Sequence, residues 1–244
     1  MDATSSSCRS LLPATMPIGE FLLTLPQSAV VCEIGGGSSR KSRADWVIDI
    51  WTYDQATLQP GDRVSADRWI VHNVCTPGPW PVPDNAFDFT ICSHLLEDIH
   101  DPFHVLSELM RVSPRGYVET PSRAWESARN PYGRVPGGAH HHWMVEHDAD
   151  DTLVFTFKHG LLTEFTSFQI HRRVPLSENL ISLYWDRHIS PLRARARLRV
   201  QEDDFVRFRA SYEGMPEAQV WRQFRREFLL KRVIYKALRT CRLR

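Results

Sequence analysis

Apolar residues along the chain gather into short continuous runs in the first half and give way to mixed patterns in the second. Residues 17–25 predict a short helix stopped by Pro26, and 29–34 a strand that runs into three consecutive glycines. Further strands are expected over 46–50 and 69–74. "FDFTICSH" (87–94) is apolar enough to be a strand buried on both faces. "DPFHVLSELMRVSP" (101–114) predicts a helix: Asp101 is a natural N-cap, Pro102 suits the first helical position, and Phe103, Leu106 and Met110 recur on one face until Pro114 ends it. "GYVET" (116–120) is the next strand. Strands alternating with helices and loops imply an α/β fold with a mainly parallel sheet, in which ligands bind beyond the carboxyl ends of the strands.

The second half is less regular. Residues 121–150, rich in Pro, Gly, His and Trp, suggest a long loop. Residues 152–165 read as a strand followed by something short. "RARARLRV" (193–200) has the two-residue period of a half-exposed edge strand. From Glu217 the chain reads as a basic helix whose Val220, Phe224, Phe228, Leu229, Val233, Tyr235 and Leu238 suffice to pack it on the sheet. Contact of this basic stretch with nucleic acid or an anionic membrane is the alternative use of the same charges. The organisation expected is a flexible leader over 1–16 and one domain over 17–244, with a cofactor-binding core at about 29–123, an acceptor or lid region at about 124–200 and the basic helix at about 216–242.

Composition narrows the class. The 244 residues are 42% hydrophobic, enough for a sizeable core, and the net charge of +1 does not by itself call for a polyanionic partner. Cys8, Cys32, Cys75, Cys92 and Cys241 are odd in number and scattered without a C-x-x-C pair, which argues against a disulfide framework or a zinc site. The first 26 residues lack a basic start and an unbroken apolar stretch, and no window reaches the roughly 20 apolar residues of a membrane span. A cytoplasmic protein is the expectation.

Candidate chemistry lies at the strand ends. Glu33, Asp49, Asn73, His94 and Glu119 all fall at or just past them. In "VVCEIGGGSSR" (30–40) the glycines allow backbone N–H groups to approach a ligand. A dinucleotide site would want a third glycine and an acid about 20 residues on. Here Ser38 and Ser39 follow Gly37, and Asp49 comes 14 residues after Gly35. Glu33 would repel a pyrophosphate by about 4 kcal/mol at contact. It would attract the sulfonium and ammonium of S-adenosylmethionine, while Asp49 can accept from ribose hydroxyls. The four histidines His140, His141, His142 and His147 invite a metal, but adjacent histidines cannot all face one ion without a strained turn; a loop or substrate lid is the plainer reading, and no metal is expected.

These stretches together resemble the class I S-adenosylmethionine-dependent methyltransferases of the type 11 branch. "VVCEIGGGSSR" is similar to their first motif, "DWVIDI" to their second, and residues 79–122, with "PDN-FD" and "SHLLED", to their third. The resemblance implies a Rossmann-like seven-stranded sheet. It implies that Glu33, Gly35 and Gly37 hold the methionine part of the cofactor and Asp49 the ribose. Asn73 would stand where an adenine-binding Asp is usual, and Ser93 and His94 would line the methionine side. His94 is the candidate general base, and a small-molecule acceptor methylated on oxygen or nitrogen is expected. Two departures, Asn73 and the short stretch between the first two motifs, support an alternative: a catalytically weak relative that acts as an interaction module through its basic C-terminal region.

Overall fold

A computed structural model describes residues 16–38, 41, 43–129, 135–148, 150–197 and 201–242. Residues 1–15 of the leader expected over 1–16, and the end of the 193–200 strand, lie outside the described residues. The chain divides into two compact units. The first comprises residues 1–120, 145–154 and 181–195; the second comprises 121–144, 155–180 and 196–244.

Within the first unit lies a sheet built on four short parallel strands. These are β1 (Val31–Ile34), β2 (Trp46–Asp49), β3 (Trp69–Val71) and β4 (Phe89–Ser93). β5 (Arg115–Pro121) pairs parallel with β4. With β8 (Leu180–Asp186) the order is β3-β2-β1-β4-β5-β8. β1 and β4 are buried along their whole length, as their continuous apolar runs require. Among the described residues this sheet therefore has six strands, where seven were expected. β6 (Trp143–His147), β7 (Leu153–Phe157) and β9 (Ala194–Arg197) instead make a three-stranded sheet of their own, ordered β6-β7-β9.

The helix α1 (Ile18–Thr24) stops before Pro26 and presses Ile18, Phe21 and Leu22 onto Val31, Phe89, Ile91, Tyr117 and Tyr184. Burying side chains of this size contributes about 1.5–3 kcal/mol each. α2 (Pro102–Val112) starts as anticipated: Asp101 accepts from the His104 N–H at 2.9 Å and Pro102 occupies the first turn. Its buried face differs, however. Val105, Leu106, Leu109 and Val112 form it, and Phe103 and Met110 are only half-buried. The reason is Glu108, buried on the same helix. It accepts from the Trp80 N–H (2.7 Å) and pairs with Arg111 (2.7 Å), which also reaches Asp84 and the Val82 carbonyl. This polar clamp docks the proline-rich loop 76–88 onto α2 and fixes the rotation of the helix.

The stretch from β1 to β2 shows no helix among its described residues. Arg43 replaces one. Its guanidinium donates to Asp45 (2.6 Å) and to the Ala29 carbonyl (2.8 Å), while Asp45 accepts from the Val31 N–H (3.0 Å). The short crossover is thus tied back to the start of β1, which permits parallel pairing without the usual dozen or more residues and a helix.

In the second unit, the stretch expected to be a long loop contains α3 (Arg123–Ser127), capped by Ser122, and the start of β6. α4 (Gly160–Glu164) follows β7. α5 (Glu202–Glu213), not anticipated, packs Phe205, Val206 and Ala210 with Phe165, Phe168 and Val220. α6 (Glu217–Arg242) packs against α5 and the 3-10 turn Thr166–Phe168. Its packing residues are Val220, Trp221 and Phe224; Leu229, Val233 and Tyr235, expected to pack, are exposed. No helix among the described residues is long and apolar enough to cross a membrane.

Candidate active site

Parallel pairing puts the carboxyl ends of β1, β2, β4 and β5 on one edge, with Glu33 level with Ile91 and Ser93 level with Glu119. Along β1, Glu33 points from a strand buried on all sides and is 1% exposed. One of its carboxylate oxygens accepts from the Lys41 N–H at 2.6 Å, so the acid folds the crossover around itself.

The glycine turn follows directly. Gly35 has φ of 77°, the left-handed region that glycine enters without strain, and its N–H donates to the Ile48 carbonyl of β2 (2.9 Å). Gly37 is needed for proximity: a Cβ there would stand 3.0 Å from both Asp49 Oδ2 and the Trp51 ring. The Gly37 N–H donates to Asp49 Oδ2 (2.7 Å) and the Trp51 N–H to Oδ1 (2.8 Å). Asp49 is therefore oriented by two backbone donors, and each oxygen keeps a lone pair for a further donor.

His94 ends β4 with φ of 52°, uncommon for a residue with a side chain, and its N–H donates to the Glu119 carbonyl (2.9 Å). The ring lies between two acids, Nδ1 at 3.5 Å from Glu97 Oε1 and Nε2 at 3.6 Å from Glu119 Oε1. The hydrogen bond to Glu97, reinforced by the charges of Glu97 and Glu119, raises the imidazole pKa above its ordinary value of 6.5, against the opposing effects of partial burial and Lys41. Glu119 is itself held by Ser93 Oγ (2.8 Å) and by the Tyr117 hydroxyl, which sits on the same face of β5. Burial and this acceptor push the Tyr117 phenol well above 10. Glu97 is 1% exposed, and beyond the His94 contact neither of its oxygens has a hydrogen-bond partner among the described residues.

Of the residues singled out in the sequence, Glu33, Gly35, Gly37, Asp49, Ser93 and His94 stand along this edge. Asn73 lies two residues beyond β3 and is exposed; its side-chain oxygen accepts from the Cys75 N–H (3.0 Å), which turns it toward its own loop. Glu97 is not among the residues that the sequence analysis singles out. The structure puts it in the turn between β4 and α2, where it faces His94. The available signal was its position three residues after His94, directly past a buried strand. Tyr117 carried no signal beyond the alternation of β5.

The histidine loop is organised by the second unit. Glu126 on α3, fully buried, takes the Lys158 ammonium (2.6 Å) and the His141 ring, and Lys158 also donates to the Gly138 carbonyl (2.6 Å). His141 thus serves an ion-paired staple that holds the turn at Gly137 and Gly138.

Residues 35–119 match the model of a family described as a methyltransferase domain. No curated protein matches the chain. Among solved structures, an S-adenosylmethionine-dependent methyltransferase from Mesorhizobium loti is similar at 16% identity over 57% of this chain and 63% of that one, with a TM-score of 0.35. Another, from Aquifex aeolicus, is similar at 17% identity over 68% of this chain and 87% of that one, with a TM-score of 0.37. The chain thus spans less than two thirds of the length of the first of these. The sequence match to the methyltransferase domain family thus takes in the glycine turn, the proline-rich loop and the β4–β5 edge, residues 35–119.

Proposed function

We propose that the protein transfers a methyl group from S-adenosylmethionine to an oxygen or nitrogen of a small-molecule acceptor. The observation that carries this reading is the charge of the β-strand edge. Glu33, Asp49, Glu97 and Glu119 converge there, two of them 1% exposed, and the first is directly beside the glycine turn. This set fits a cationic, phosphate-free group and rejects a pyrophosphate. The stretch after Gly37 offers no helix N-terminus among its described residues, the feature that dinucleotide sites use for phosphate.

When bound, S-adenosylmethionine supplies an electrophilic methyl carbon on a sulfonium. Glu33 and the turn at Gly35 and Gly37 hold the cationic amino-acid part. Asp49, pre-oriented by its two backbone donors, takes the ribose hydroxyls. His94 accepts the proton that the acceptor loses, and Glu97 on the Nδ1 side and Glu119 on the Nε2 side stabilise the imidazolium. Ser93 and Tyr117 act through Glu119 by fixing its carboxylate. Positioning of acceptor and donor can supply about 7–11 kcal/mol of the barrier lowering, and a base a further 10²–10⁴-fold or so. The buried thiols of Cys32 and Cys92, both pushed up in pKa by burial, fit a reducing cytoplasm.

A second reading is favoured by two features: Asn73 is turned to its own loop, and the β1–β2 crossover is short. On that reading the protein binds the cofactor weakly and works as an interaction module. Titration of the protein with S-adenosylhomocysteine separates the two. Binding near micromolar, about −8 kcal/mol, supports the enzyme; absence of binding supports the module.

A further inference from the structure

We infer that α6 docks the protein onto an anionic lipid surface. Its first turns belong to the core through Val220, Trp221 and Phe224. Further along, a second apolar stripe appears. Leu229 and Val233, four apart, lie roughly opposite the line through Val220, Phe224 and Phe228, and Leu230 and Ile234, also four apart, lie on the flank beside them. These four are 60, 66, 61 and 49% exposed, large apolar side chains left in water on one face. Arg222 and Arg226 continue this face one and two turns earlier, and Arg225 and Arg232, seven apart, border it; all four are exposed, and none makes an ion pair among the described residues. Lys231 is different: it reaches back to the Glu164 carbonyl and the Phe165 ring and is part of the packing.

Charge selects the occupant. From Glu217 to the last residue the sequence holds nine lysines and arginines against two glutamates, a net +7, while the whole chain carries +1. The remainder is thus −6, and the positive charge is concentrated in this C-terminal stretch of sequence. A second copy laid along the stripe would set +7 against +7. A nucleic acid would take the arginines and leave Leu229, Leu230, Val233 and Ile234 in water. An anionic bilayer interface takes both: the apolar side chains enter the acyl boundary and the arginines meet the headgroups. The helix lies on such a surface and does not cross it.

Vesicle co-sedimentation of the full chain tests this, with phosphatidylserine-containing vesicles set against phosphatidylcholine alone. Binding to the anionic vesicles only, weakening as salt is raised, is expected. Leu229→Gln with Val233→Gln should weaken it at least about tenfold. Arg225→Gln with Arg226→Gln should weaken it by about fivefold per charge. Both pairs are exposed, so thermal unfolding should be unchanged, and cofactor affinity should not move. Absence of binding to anionic vesicles overturns the inference, as does equal binding to neutral ones. Undiminished binding by the Leu229/Val233 variant, with a DNA duplex competing as well as vesicles, would assign the helix to nucleic acid. A dimer that becomes monomeric in that variant, with vesicle binding unaltered, would assign the stripe to a second copy.

Discussion

His94 is the residue whose chemistry is most shaped by its neighbours. Two carboxylates face its two ring nitrogens, and the larger influence is Glu97. Because the folded pKa is raised, the charged ring stabilises the native state fully below 6.5, and that contribution is lost as pH rises through the folded value. A base role follows the opposite limb: proton acceptance grows as pH passes the raised pKa. Glu97→Gln should move the His94 midpoint down toward 6.5, which a proton-detected titration of the imidazole reads directly. A midpoint unmoved by Glu97→Gln would remove Glu97 from the role given to it. Asp49→Asn keeps the shape and removes the charge; cofactor affinity should fall about 10–100-fold, since hydrogen bonds to a charged group are worth about 1.5–3 kcal/mol. Calorimetry on a variant whose unfolding temperature is checked in parallel decides it.

At the scale of elements, caps and buried pairs set stability. Asp101→Ala removes the acceptor for the His104 N–H at the start of α2 and should cost about 1 kcal/mol in urea unfolding. Glu126→Ala leaves the Lys158 ammonium, only 10% exposed, without its carboxylate and takes that carboxylate from the His141 ring as well. The expected loss is about 3–5 kcal/mol, large enough to appear as a lower midpoint at unchanged slope. The elements read most surely from sequence were those whose signal is local. β1 and β4 are continuous apolar runs, α1 is bounded by Pro26, and α2 carries Asp101 and Pro102. α5 was missed because its buried face is broken by Arg209, 2% exposed, which is compensated by Glu213 at 3.0 Å and the Ser167 carbonyl. The Glu213 partner lies only four residues on, but the Ser167 carbonyl is 42 residues away, a contact that no local pattern carries. The rotation of α2 was misread for the same reason, since the clamp of Glu108 onto Trp80 links positions 28 residues apart.

For the whole molecule, the legible part of the site was the strand-edge position of Glu33, Asp49 and His94. The illegible part was which residues face one another: Glu97 onto His94, Tyr117 and Ser93 onto Glu119. Strand register sets the second group, and the turn after β4 sets the first. Charge is also distributed at this scale, with acids gathered at the strand edge and cations on α6. The central claim is that the acid-lined edge receives a cationic methyl donor. Isothermal calorimetry with S-adenosylmethionine and S-adenosylhomocysteine tests it most directly. Micromolar binding of both is predicted, weakened at least about tenfold by Glu33→Gln, in a protein that unfolds at the wild-type temperature. No heat of binding from the wild-type chain, or full affinity in Glu33→Gln, would contradict it.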